Sequence, residues 1–150
     1  MMKGLLKTSG SVVDTLLRLT LAAVFFPHGA QKVLGWFGGH GLVATYGAFT
    51  QKMGIPGFLA VLVFAAEFLG PIGLFFGFLT RVAAFGIFCV MAVAAWTVHS
   101  QVGFFMNWAG TYPAGKEGFE FHLLALGLCL AVMARGAGAL SIDGAIAGKR

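Results

Sequence analysis

Long apolar runs separated by short polar stretches dominate the chain. A transmembrane helix needs about 20 apolar residues, and four runs approach or exceed that length: 12–34, 55–79, 81–99 and 118–134. We therefore predict an all-α fold, a bundle of four transmembrane helices in which residues 1–150 form a single domain. Thr80 and Arg81 mark the change from the second run to the third, so these two helices should form a tight antiparallel hairpin.

The first apolar run resembles the core of a signal peptide, because Lys3 and Lys7 precede it. Asp14 and Arg18 interrupt this run, and its apolar pattern continues to Leu34. We therefore expect the first helix to remain in the protein.

Composition supports a membrane protein. Hydrophobic residues make up 59% of the 150 residues and charged residues 10%, whereas a soluble domain has about 25% charged residues. The net charge of +5 does not indicate a nucleic-acid partner, because the cations are spread along the chain near predicted helix ends. Cys89 and Cys129 lie in apolar runs and form no CxxC motif, which argues against a disulfide framework and a thiol-redox enzyme.

Basic residues predict the topology, since Lys and Arg are enriched in cytoplasmic segments. In the four-helix arrangement one side carries Lys3, Lys7, Arg81, Arg135, Lys149 and Arg150, and the other carries Lys32, Lys52 and Lys116. We therefore expect both termini to lie in the cytoplasm of a bacterial-type inner membrane.

Glu67 is the only ionisable residue in the second apolar run. A carboxylate at that depth costs several kcal/mol unless it is protonated, paired or hydrated, so it indicates a functional site. Pro71 follows four positions later and has no N–H for the Glu67 carbonyl. The expected partner of Glu67 is a ligand, Lys32 or His28.

Polar residues of the first run share one helical face. At about 100° per residue, Asp14 lines up with His28, and Arg18 lines up with Lys32. This face should point into the bundle. Asp14 and Arg18 are four residues apart with the acid first, which predicts an ion pair. This pair either has a functional role or is a charge-neutral anchor near the membrane surface.

The alternating helix directions bring polar residues from several helices to one level. His28, Lys32, His99, Glu120 and His122 should lie in the outer third of the membrane, with Glu67 a few turns deeper. Three histidines beside acidic groups predict a site that handles protons.

Aromatic residues gather near the same face. Trp36, Tyr46, Trp108 and Tyr112 lie in or beside the two long loops, and Trp96 precedes the end of the third run. They form either an interfacial aromatic belt or a mouth that stacks on a planar ring. In the second case Trp36, Trp96 and Trp108 are candidate ligand-binding residues.

Three ligand chemistries fit the polar cluster. A b-type haem would need two axial ligands from His28, His99 and His122. A divalent metal could use His and Glu, although no HExxH or ExxH spacing occurs, so we assign no metal site. A quinone needs proton donors or acceptors, an apolar slot and an aromatic wall, and the sequence offers all three.

Several motifs resemble those of the DoxX family of small four-helix membrane proteins. They are FFPHGAQK at 25–32, AAEFLGPIGLFFGFLTR at 65–81 and RGAGALSID at 135–143, with Arg18 before them. The resemblance covers nearly the whole chain and implies a role in membrane redox chemistry. Members of the family include the membrane subunit of a thiosulfate:quinone oxidoreductase, and the family is functionally diverse.

The expected function is thus a quinone-interacting membrane subunit of an oxidoreductase. Glu67 and His28 would exchange protons with the quinone, Lys32 and Arg18 would adjust the charge of Glu67, and Glu120 with His99 or His122 would connect the site to water. Because the sequence shows no dinucleotide fingerprint, CxxC or clear haem pair, electrons would come from a soluble or membrane redox partner. The alternatives are a non-catalytic membrane anchor or assembly partner for a soluble oxidoreductase, and a small-solute carrier. The protein could also form a homo-oligomer.

Overall fold

The described part of the chain is helical, with turns and loops between the helices. A computed structural model describes residues 2–113 and 115–148, with side chains from residue 4 onward. These residues form helices α1 (Met2–Leu6), α2 (Val12–Val33), α3 (Gly41–Gly47), α4 (Gly57–Phe76), α5 (Thr80–His99), α6 (Glu120–Arg135) and α7 (Ile142–Ala147), and they contain no β-strand. A π-helical segment, Ala48–Lys52, directly continues α3. The predicted all-α fold is confirmed.

Three of the predicted spans are confirmed as helices of membrane length. Helices α2, α4 and α5 contain 22, 20 and 20 residues and are apolar enough to cross a bilayer. Helix α6 has 16 residues, a length of about 24 Å. The fourth crossing therefore stays a prediction.

Two of the long helices contain π-helical turns. One covers Ala65–Leu69 in α4, where the N–H of Gly70 donates to the carbonyl of Ala65, five residues earlier. Pro71 follows directly and has no N–H to continue the α-helical pattern. The other π turn, Ala95–His99, ends α5. Isolated π turns often occur at functional sites, and these two contain Glu67 and His99.

The core lies between α2, α4, α5 and α6. Its largest members are Leu21, Phe25, Leu74, Ile87, Met91, Cys129 and Val132, each at most 6% exposed. Many large apolar side chains on the outer faces of α4 and α5 remain exposed, among them Phe58, Leu69 and Phe85. A lipid environment explains this distribution, because outer faces of membrane helices need no cover from the protein.

The turn between α4 and α5 differs from the prediction. It consists of Gly77, Phe78 and Leu79, and Thr80 already begins α5. Gly77 has a φ of 65°, which a glycine adopts without strain, so α4 ends there. Helix α5 starts after Leu79, whose φ is 48°.

Both described ends of the chain lie at the same end of the bundle. Helix α1 packs against α7, and Arg81 at the start of α5 donates to the carbonyl oxygen of Gly4. We call this the termini end, and we call the opposite end, with residues 35–56 and 100–119, the loop end. Lys149, Arg150 and the side chain of Lys3 lie outside the described residues, and the cytoplasmic location of the termini stays a prediction.

Candidate functional site

Glu67 forms an ion pair with Lys32. The Nζ atom of Lys32 lies 2.7 Å from Oε2 of Glu67, and their side chains are 27% and 4% exposed, respectively. Lys32 belongs to the last turn of α2 and Glu67 to the π turn of α4. Of the two side chains that the sequence allowed as partners, Lys32 and His28, the structure selects Lys32. The carboxylate is buried, whereas its ammonium partner still reaches the surface.

The backbone beside this pair packs closely. A Cβ atom at Gly29 would overlap the carbonyl oxygen of Glu67 and approach Cα of Phe68. Only a glycine lets α2 approach the π turn at this point. The carbonyl that Pro71 cannot bond therefore lies against the backbone of α2, one turn before Lys32.

His28 does not point into the bundle as expected. His28 is an exposed residue. The centroid of its ring lies 6.3 Å from the centroid of the Phe25 ring. His28 precedes Lys32 by four residues, so the two side chains lie on neighbouring parts of one helical surface. The structure thus places His28 at the edge of the Lys32–Glu67 pair.

The predicted ion pair between Asp14 and Arg18 is wrong. Asp14 instead accepts a hydrogen bond of 2.6 Å from Nε of Arg135 and a very short one from the hydroxyl of Ser9. Arg135 lies at the end of α6, so Asp14 joins α2 to α6. Tertiary packing brings an opposite charge closer than the local helical neighbour.

Arg18 is held at the termini end and makes no contact with Glu67. The guanidinium group is only 2% exposed and donates to carbonyl oxygens of Leu74, Phe75, Ala137, Ala139 and Leu140. Leu74 lies seven residues after Glu67, which corresponds to about 11 Å along a helix. The expected role of Arg18 in adjusting the charge of Glu67 is therefore not supported. Arg18 instead binds carbonyl oxygens in the last turn of α4 and in the tail, the segment that follows α6.

His99 and His122 meet at the loop end. Their ring centroids are 4.1 Å apart, and Nδ1 of His99 lies 2.7 Å from the carbonyl oxygen of Glu117. Because a carbonyl only accepts, this Nδ1 carries a hydrogen. His122 is buried, and its Nδ1 has no hydrogen-bond partner among the described residues. A haem plane does not fit between rings in direct contact, so these two histidines do not form an axial pair here.

Glu120 organises the second long loop. Its Oε1 accepts hydrogen bonds from the backbone N–H of Met106 at 2.9 Å and from the indole Nε1 of Trp108 at 2.7 Å. Glu120 is also the first residue of α6. Its carboxylate therefore anchors residues 106–108 to the start of that helix, a role that the sequence did not predict.

The polar residues at the loop end form two groups rather than one cluster. Lys32 and Glu67 join α2 to α4, whereas His99 and His122 join α5 to α6. Ring contacts run from His28 to Phe25, from Phe25 to Phe121 and from Phe121 to His122, with centroid distances of 6.3, 6.2 and 5.9 Å. Within the described residues, no hydrogen bond links the two groups. Aromatic rings therefore lie along the path from one group to the other.

The three tryptophans do not form a common wall. Trp36, Trp96 and Trp108 are 54%, 80% and 82% exposed, and no ring contact in the described part of the chain joins one to another. Trp36 contacts Phe37, and Trp108 is held by Glu120. This arrangement agrees better with an interfacial belt than with a mouth around a ring.

Two structural roles were missed from the sequence. Arg135 neutralises Asp14, and the carboxylate of Asp143 accepts from the N–H groups of Leu79 and Thr80 at 2.8 and 2.9 Å. Asp143 thus caps α5, although it lies in the short helix α7. That helix, α7, is capped by Ser141, whose hydroxyl accepts from the N–H of Gly144. A local cap motif reveals Ser141, but no local signal reveals a cap from a distant segment.

The described residues contain no group of three His, Cys, Asp or Glu side chains that could hold a metal ion. The arrangement is that of a polytopic α-helical membrane protein whose buried carboxylate sits in a π turn and is paired with a lysine from a neighbouring helix. What it can do chemically is hold a charge pair below the membrane surface and donate hydrogen bonds from Lys32.

Comparison with known proteins assigns this bundle to a family. The family model for DoxX matches residues 13–100, more than half of the chain, so the protein belongs to the DoxX family. It is 30% identical over 128 residues to "Inner membrane protein YqjF" of Escherichia coli (strain K12), covering 84% of this chain and 85% of that protein. It is 28% identical over 117 residues to "Putative oxidoreductase CatD" of Bacillus subtilis (strain 168), covering 78% and 75%. No solved structure matches significantly.

Proposed function

We propose that the protein is a subunit of an inner-membrane oxidoreductase and binds a quinone at the Lys32–Glu67 pair, with the termini end in the cytoplasm. The observation that carries this proposal is a buried carboxylate held by a lysine that still reaches the surface. Buried ion pairs in membranes mark functional sites. The name of the Bacillus relative supports redox chemistry, and that of the Escherichia relative supports the inner membrane.

Lys32 is the residue that would contact the quinone. Its ammonium group has three N–H donors and lies 2.7 Å from Oε2 of Glu67. A quinone carbonyl oxygen could accept from the exposed side of Lys32. Reduction to the quinol takes up two electrons and two protons, and the negative charge that builds on the oxygen would be stabilised by the ammonium group. The electrons come from a separate redox partner.

Protons would reach the quinone from the loop end. His28 lies exposed one turn before Lys32, and an imidazole can take up and release a proton. Ring contacts of Phe25 and Phe121, and no hydrogen bond among the described residues, connect the site to the His99–His122 pair. In this proposal His28 and Lys32 therefore supply the proton route, and Glu120 acts only by holding its loop.

An apolar surface beside the pair could hold the quinone ring. Phe26 of α2 and Phe68 of α4 stack with centroids 6.0 Å apart and an interplanar angle of 26°. Phe68 directly follows Glu67, and both rings are partly exposed. A planar ring against this pair of phenyl groups would lie close to the Lys32 ammonium group.

Quenching of tryptophan fluorescence by a short-chain quinone tests the proposal. All three tryptophans lie at the loop end or in the last turn of α5, so bound quinone should quench their emission. We expect saturable quenching by the wild-type protein. Glu67→Gln should weaken apparent binding about tenfold or more, because the charge that positions Lys32 is lost and breaking a buried ion pair costs about 3–5 kcal/mol.

Glu117→Gln is the matched control, since it makes the same change in a loop residue. It should bind quinone as the wild type does. Equal quenching of the Glu67→Gln, Glu117→Gln and wild-type proteins would exclude quinone binding at this pair. If Glu67→Gln also still assembled with its redox partner, the protein would be a membrane anchor, which agrees with the structural roles of Arg18 and Glu120.

A further inference from the structure

A second polar site lies at the termini end, far from Lys32 and Glu67. It is an open cavity of about 400 Å³ lined by Lys7, Thr8, Ser9, Arg81, Ala134 and Arg135. We call it the basic cavity. Its walls come from the segment between α1 and α2, the first turn of α5 and the last turn of α6.

The basic cavity carries positive charge that the protein does not neutralise. Asp14 pairs with Arg135, whereas neither Lys7 nor Arg81 forms an ion pair with any residue that the structure describes. Arg81 donates only to carbonyl oxygens, those of Met133, Gly4, Leu5 and Ala134. Three cations and one carboxylate leave a net charge of about +2 around the cavity.

Free hydrogen-bond donors accompany this charge. Within the described chain only Nε of Arg135 donates, to Asp14, so its two Nη groups are available. The hydroxyl of Ser9 is occupied by Asp14, and that of Thr8 accepts from the N–H of Gly138. Lys7 and Arg135 therefore provide the donors that a ligand in the cavity would meet. Both residues are exposed.

The position of the basic cavity in the bundle points to a lipid. It lies where α5 begins and α6 ends, which in a bilayer is the depth of the headgroups. Directly below Arg81, Val82 and Phe85 are 49% and 58% exposed on the surface of α5. A molecule with its anionic group in the cavity could thus lay acyl chains along this apolar surface.

We propose that the basic cavity binds the phosphate group of an anionic phospholipid. Lys7 and Arg135 donate to the phosphate oxygens, and Arg81 supplies further positive charge. Basic pockets at the ends of transmembrane helices are suited to such headgroups. This site is independent of the proposed quinone site, because the two share no residue and lie at opposite ends of the bundle.

Native mass spectrometry of the full chain in detergent tests the proposal, with phosphatidylglycerol and phosphatidylcholine as probes. We expect phosphatidylglycerol to bind at least tenfold more tightly. Lys7→Gln should weaken its binding about fivefold, the factor expected for one cation near an anionic headgroup. The side chain of Lys7 makes no hydrogen bond to the described residues, so the variant should keep the Tm of the wild type.

Lys52→Gln is the matched control, because it removes one exposed cation at the loop end. It should change the affinity less than twofold. Equal binding of the two lipids, or equal effects of Lys7→Gln and Lys52→Gln, would overturn the proposal. The phosphate group could belong to a lipid or to free phosphate, and a measurement with inorganic phosphate distinguishes the two. If inorganic phosphate alone raises the Tm as much as phosphatidylglycerol does, the cavity binds a soluble anion and the lipid assignment is wrong.

Discussion

Gly29 decides how closely α2 approaches Glu67. Its Cα lies against the backbone of the π turn, where a Cβ atom would overlap the carbonyl oxygen of Glu67. The obstacle is backbone rather than a flexible side chain, so it cannot move without shifting a helix. The Lys32–Glu67 ion pair depends on this approach, because Lys32 follows Gly29 on the same helix.

Gly29→Ala should therefore separate α2 from α4. Overpacking costs about 1–3 kcal/mol, and we expect a loss at the upper end of that range. Unfolding in detergent, followed by circular dichroism, would measure it, and quinone quenching should weaken in parallel.

Gly127→Ala is the control for this substitution. Gly127 lies within α6, and no atom lies within 4 Å of the place that an alanine methyl group would take. Alanine also favours a helix by about 1 kcal/mol over glycine. This variant should be as stable as the wild type or more stable. A Gly29→Ala protein with unchanged stability and quenching would show that the close approach is not needed.

At this scale the sequence predicted the unusual residue but not its partner. Glu67 was visible because it interrupts an apolar run, and Lys32 and His28 were both possible partners. To choose between them, one must know how α2 is rotated about its axis relative to α4. The π turn changes the angular positions of side chains around this part of α4. A regular spacing of 100° per residue does not include such a change.

Among the elements, α5 depends on a cap from another part of the chain. Its first residues have no capping side chain of their own, and Asp143 from α7 accepts from the N–H groups of Leu79 and Thr80. Asp143 is 2% exposed, so water does not replace these bonds easily. The tail after α6 thereby holds the turn between α4 and α5.

Asp143→Ala should destabilise the protein by about 2–3 kcal/mol, since two buried N–H groups lose their acceptor and each costs about 1–3 kcal/mol when unsatisfied. Thermal unfolding in detergent would measure the loss. Ser141→Ala is the comparison, because it removes only the cap of the six-residue α7 and should cost about 1 kcal/mol or less. Equal effects of the two variants would contradict the role of Asp143 at α5.

On the scale of the whole molecule, Arg18 connects three parts of the fold. From α2 it donates to the last turn of α4 and to residues 137–140 of the tail. The planar guanidinium group can reach these carbonyls together. The tail is thus part of the bundle and not a loose extension.

Arg18→Lys should release the tail even though the charge is kept. An ammonium group donates three hydrogen bonds at most, so at least two charge-assisted bonds are lost, at a cost of about 3 kcal/mol or more. Limited trypsin digestion should cleave after Arg135 at least tenfold faster. Lys52→Arg, an exchange of cations at the exposed loop end, should change that rate less than threefold, and equal rates for both variants would refute the role of Arg18.

What the sequence by itself determined is the class of protein and the main helices. The lengths of the apolar runs predicted α2, α4 and α5 because crossing a bilayer sets a minimum length, and the motifs around 25–32 and 65–81 indicated the family. Tertiary structure decided the pairing of polar groups. Asp14 bonds to a residue 121 positions away, and Asp143 caps a helix 63 positions away. Such partners depend on how helices rotate and where turns end, and local patterns do not contain that information.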